Sequence, residues 1–137
     1  MLKKMTVALL LILPLLVLAE VPPIPFTPYK TAAAYIGKGK PVMLEVGAES
    51  CVNCKTMNQI LAPIVAKHPS YRIFDIILTA PAVNILSGRP AVSTEEKLNI
   101  HAIPAQIFYD ASGKEVYRHT GILDAGQLMS IFKKLKF

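Results

Sequence analysis

The chain has 137 residues, 53% of them apolar, with a formal net charge of +6, two cysteines and no tryptophan. That length argues for one domain. The positive charge is spread thinly apart from the Lys133–Lys136 tail, and no nucleic-acid motif or aromatic interleaving accompanies it, so nucleic acid is excluded as a partner.

The N-terminus reads first as an address. Lys3 and Lys4 form a basic head, Val7 to Leu18 is an apolar run containing Pro14, and Val17-Leu18-Ala19 supplies a cleavage pattern before Glu20. This predicts a secretory signal peptide over residues 1–19. The alternative is an uncleaved anchor, but the run falls short of the ~20 apolar residues of a spanning helix. Either way the domain is expected outside the cytoplasm, in a bacterial periplasm. Residues 20–28 hold Pro22, Pro23, Pro25 and Pro28 and read as a stiff tether. Residues 29–137 are then the domain.

Thr27 followed by Pro28 predicts a helix start, with Thr27 as N-cap, running to Ile36 and ending at Gly37. Pro41 to Val46 reads as a strand buried on both faces. A helix is expected from Cys51 to about Ala62, where Pro63 should end or kink it. Tyr71 to Leu78 is a second strand. Thr79 to Val92 has turn residues and no period, which reads as a loop. Ser93 with Glu96 three residues later is a capping box that opens a short helix. Pro104 to Asp110 and Glu115 to Thr120 form a hairpin, and an amphipathic helix capped by Asp124 closes the chain. The alternation implies an α/β fold: a central sheet of about four strands, helices on both faces, and the hairpin at one edge.

The two cysteines, Cys51 and Cys54, stand three positions apart in "AESCVNCKTM". A zinc site would need two further ligands. His68, His101 and His119 are scattered and show no paired spacing, so no metal is expected. A structural staple closing so short a loop would remove little entropy from the unfolded chain. The third reading is redox. A Cys-x-x-Cys that follows a strand and opens a helix places Cys51 at free N–H groups and the positive end of the helix dipole, which favour a thiolate. Cys54, one turn inside, is placed to resolve a mixed disulfide formed on Cys51. No cofactor is needed beyond the Cys51–Cys54 pair itself.

"VMLEVGAESCVNCK" and "IPAQIFYDASGKEVYRHTGILDA" resemble the thioredoxin-fold oxidoreductases. They are most similar to the C-terminal thioredoxin-like domain of DsbD, a periplasmic thiol:disulfide interchange protein, and also to small secreted thioredoxin-like proteins. The likeness covers roughly residues 40–130, anchored on the Cys-x-x-Cys and on Ile103-Pro104. It implies a thioredoxin-like fold with a mixed sheet. It also implies that Glu45 is a buried acid able to take the proton of Cys54, its own proton affinity raised by desolvation. It implies a cis-proline at Pro104, presenting the backbone of Ile103 to an extended substrate. Ser50 stands where the family usually has Trp. Val52 and Asn53, between the cysteines, are expected to meet the substrate together with Ile103 and Pro104. They supply no cation to stabilise a thiolate, which suggests a reducing centre.

The expected function is that of a monomeric periplasmic thiol:disulfide oxidoreductase acting mainly as a reductase on protein disulfides. A membrane thiol reductase would be its electron donor. The alternatives are an oxidase that donates its disulfide and a non-catalytic binding module that holds a partner strand beside Pro104.

Overall fold

The computed structural model describes residues 20–79 and 93–137. The expected signal peptide and all but Thr79 of the 79–92 loop lie outside the described residues. The element order is α1 (Tyr29–Ala33), β1 (Val42–Gly47), α2 (Val52–Lys67), β2 (Arg72–Ile77), α3 (Thr94–Leu98), β3 (Ala105–Tyr109), β4 (Glu115–Thr120) and α4 (Ala125–Leu135).

The four strands form one mixed sheet in the order β2-β1-β3-β4. β1 runs parallel to β2 and antiparallel to β3, which pairs antiparallel with β4. β1 is therefore central, and all six of its residues are buried. Alternate side chains enter opposite faces. Val42, Leu44 and Val46 pack with Ala32 of α1 and Leu98 of α3. Met43 packs with Met57 and Leu61 of α2 and with Leu128 and Phe132 of α4. The expected sheet with helices on both faces is the one that forms.

The local signals for the later helices hold. Ser93 and Asp124 each accept the N–H of the third helical residue, and the side chains of Glu96 and Gln127 return the bond. Two expectations fail. α1 is capped by the backbone at Pro28 and not by the Thr27 side chain, because Thr27 N–H donates to the Asp75 carbonyl (2.8 Å) and its backbone is committed to β2. α1 is also shorter than expected. Beyond Ala33 the chain continues in tight turns to Gly37, whose φ is +72°. The second failure is the end of α2 expected near Ala62; the helix runs on to Lys67 with Pro63 inside it. The proline is exposed, while Ile64 beyond it is buried in the cluster with Met57 and Leu61. That packing offsets a proline cost of about 3 kcal/mol.

β2 lies at the sheet edge, and part of the stretch expected as a tether covers it. Phe26 bridges Asp75 in parallel, and both main-chain groups of Ile24 bond the Asn58 side chain (2.9 and 3.0 Å). Residues 24–27 are thus bound to the domain and shield an otherwise open strand edge.

Candidate functional site

The site lies where β1 ends and α2 begins. Cys51 is the N-cap of α2, with extended backbone, and its Sγ accepts the N–H of Cys54 at 3.1 Å. The sequence leads to this because β1 is apolar except at Glu45 and a short turn, Ala48–Ser50, separates it from the helix. The first-turn amides have no intrahelical partner, so a sulfur at the cap meets a donor. Cys51 and Cys54 are joined as a disulfide with their Cα atoms 5.2 Å apart. Cys51 is half-exposed, Cys54 is buried, and Val52 is 74% exposed.

Cys54 is held from below by Gly47. A Cβ at position 47 would come within 2.8 Å of Cys54 Cβ and 2.9 Å of its Sγ. Glycine is required here by the close approach of α2 to the end of β1.

Glu45 stands two residues back on the same face of β1. Its side chain is 1% exposed, and neither carboxyl oxygen has a hydrogen-bond partner. Burial pushes its acid range up to about 8; Gln106 opposes this shift, and the charge of Asp75 adds to it. Gln106 is opposite Glu45 on β3. It donates to Gly121 O at 3.0 Å while its own Oε1 is unpartnered. A neutral Glu45 is the form suited to this surrounding, since an unpaired buried carboxylate is far costlier than its acid.

The Ile103–Pro104 peptide bond is cis. Val46 pairs with Ala105, so Gly47 and Pro104, the next residues on the two strands, lie at the same end of the sheet. The Pro104 carbonyl is bonded by Gly121 N–H at 2.8 Å. The fold thus brings Cys51, Val52, Asn53, Cys54, Ile103 and Pro104 to one end of the molecule, with Glu45 inside. Among the described residues no cluster of three or more His, Cys, Asp or Glu is placed to hold a metal ion.

Gly47, Asn58, Asp75 and Gln106 were not singled out from the sequence. A signal existed for two of them: Asp75 in "RIFDII" and Gln106 in "AQIFY" are polar residues inside apolar strands, as Glu45 is in "VMLEVG". Nothing local marked Asn58.

Comparison with known proteins agrees with this geometry. The thiol:disulfide interchange protein DsbD of Yersinia enterocolitica is 31% identical over 110 residues, covering 79% of this chain and 18% of that protein. Its counterpart from Cronobacter sakazakii is 36% identical over 92 residues, covering 64% of this chain and 15% of that protein. The chain therefore spans less than a fifth of the length of these relatives. Among solved structures, oxidised thioredoxin O2 from Arabidopsis thaliana superposes with a TM-score of 0.56 at 20% identity, covering 78% of this chain and 85% of that one. Chloroplastic thioredoxin z gives 0.59 at 17% identity, covering 82% and 96%. At such identities the likeness is one of fold. The thioredoxin-like domain model matches residues 29–136, the same span that holds the sheet, the cysteine pair and Pro104, and the chain belongs to the thioredoxin-like domain family.

Proposed function

We propose that this chain is a thiol:disulfide oxidoreductase that reduces protein disulfides outside the cytoplasm, in a periplasm. The observation that carries the reading is the Cys51–Cys54 disulfide at the start of α2, with Cys51 Sγ accepting a helix N–H above a buried, partnerless Glu45. In the reduced form the Cys51 thiolate attacks one sulfur of a substrate disulfide. A mixed disulfide forms, and the first substrate thiolate leaves and takes a proton from solvent. Cys54 gives its proton to the carboxylate form of Glu45, which becomes populated as the pH nears 8, and attacks Cys51 Sγ, releasing the second substrate thiolate. The substrate gains two electrons and the pair becomes the disulfide. A second dithiol must restore it, and the resemblance to DsbD supports a membrane thiol reductase in that role. In this return step the neutral Glu45 supplies the proton to the departing Cys54 sulfur. Ile103, Pro104, Val52 and Asn53 form the surface that meets the substrate.

The test is insulin reduction driven by dithiothreitol. Turnover above that of the Cys51→Ser variant is expected, and equal turnover rejects the reading. The equilibrium potential against glutathione decides direction: a reductase is poised well below the strong oxidants, whose potentials lie near about −120 mV.

A further inference from the structure

Glu45 is not the only acid at this site. β1 and β2 are parallel, with Glu45 directly opposite Asp75, and in-register neighbours project to the same face. That face is the one beneath α2. Met43 and Ile73, two residues back on each strand, share the cluster with Met57 and Leu61. Asp75 and Cys54 also line one open cleft of about 450 Å³, together with Pro23 and Asn58. Asp75 thus reaches from the buried acid to solvent beside the buried cysteine.

Asn58 sits on α2 one turn after Cys54 and uses its whole amide. Its Oδ1 accepts Ile24 N–H at 2.9 Å, and its Nδ2 donates to Ile24 O at 3.0 Å and to Asp75 Oδ2 at 2.6 Å. Thr27 N–H completes the lock on the Asp75 carbonyl at 2.8 Å. One side chain therefore joins the 24–27 segment, the carboxyl beside Glu45, and the helix that carries both cysteines.

We propose that Asp75 is a second acid of the exchange site, a positioning residue whose charge sets how firmly Glu45 holds its proton, and that Asn58 ties this setting to the bound segment at Ile24. The proposal rests on the thiol-exchange reading and adds to it a control on the proton step. Partial burial raises the Asp75 carboxyl above its ordinary value, and the Asn58 donor opposes that rise, so Asp75 gives up its proton more readily while Asn58 donates than it would without it. A negative charge beside Glu45 keeps the Glu45 proton in place, and the two carboxyls titrate as a coupled pair. A partner that enters the cleft and lifts residues 24–27 removes two of the three bonds that orient Asn58. Asp75 then takes a proton more readily, and Glu45 is freer to act as base. Among the described residues, the other groups on this face of the sheet do not duplicate Asp75. β3 brings the neutral Gln106, with His119 one strand further on. α2 brings Cys54, and α4 brings the apolar Leu128 and Phe132. Glu49 and Lys55 line the cleft but are exposed.

The test is carboxyl 13C NMR on the oxidised full chain, with Glu45 assigned by Glu45→Gln. In Asp75→Asn the Glu45 titration should fall by about one pH unit or more; an unmoved or raised titration overturns the proposal. In Asn58→Ala the Asp75 carboxyl should titrate at higher pH and the amides of Ile24 and Thr27 should lose protection from hydrogen exchange. An Asp75 titration that stays put or falls overturns the link to the segment. These titrations need no turnover, so they decide this inference even if insulin reduction fails and the functional reading with it. If turnover is present, the ascending limb of its pH profile should move down in Asp75→Asn alongside the NMR titration.

Discussion

Replacement of Glu45 by glutamine should remove this residue's share of the pH dependence of stability in a calculable way. In the folded protein Glu45 holds its proton to about pH 8, against an ordinary value of 4.5. Between these values the folded state binds more protons than the unfolded chain, so stability falls as pH rises. At about 1.36 kcal/mol per pH unit, the loss relative to pH 4 is about 3 kcal/mol at pH 7 and approaches about 5 kcal/mol at pH 9. Glutamine keeps the shape and cannot ionise, so it escapes that loss. Urea unfolding of the oxidised protein, wild type against Glu45→Gln, should therefore give nearly equal stabilities at pH 4. The variant should gain steadily from pH 5 upward and level off above about pH 8. Taking the difference between the two proteins cancels the titration of the groups that are not coupled to Glu45, Asp75 being the one that is. A difference independent of pH would show that Glu45 ionises normally in the fold, and the buried-acid reasoning would fail.

Other substitutions test the site and its frame. Gly47→Ala drives a Cβ to within 2.8 Å of Cys54 Cβ and should cost about 1–3 kcal/mol; an unchanged urea midpoint would contradict the close packing of α2 on β1. Cys54→Ala, incubated with periplasmic extract, should accumulate substrates as mixed disulfides on Cys51, identified by mass spectrometry. The absence of adducts above a Cys51→Ser/Cys54→Ala control would count against resolution by Cys54. Asp124→Ala removes the oxygen that accepts Gln127 N–H at 2.8 Å and should lower stability by about 1 kcal/mol, with the insulin-reduction rate per folded molecule unchanged.

The sequence by itself determined the strands, the hairpin, the Ser93–Glu96 capping box, the Asp124 cap and the position of the cysteine pair. Each of these depends on residues within a few positions of one another: alternation, cap chemistry, a Cys-x-x-Cys after an apolar strand. It placed the end of α2 too early, near Ala62, because whether a proline breaks a helix depends on what the next turn packs against, and that partner is distant in the chain. Thr27 misled for the same reason, its backbone being claimed by a strand some fifty residues away. Only the tertiary structure decided the chemistry beneath the cysteines. Glu45, Asp75 and Gln106 stand in one row because three strands pair in a particular register. A slip of one residue on any strand would turn its side chain to the opposite face. The sequence carries three polar residues in apolar strands, but their proximity, the closeness of Gly47 to Cys54, and the hold of Asn58 on Ile24 arise from long-range pairing that no local pattern encodes.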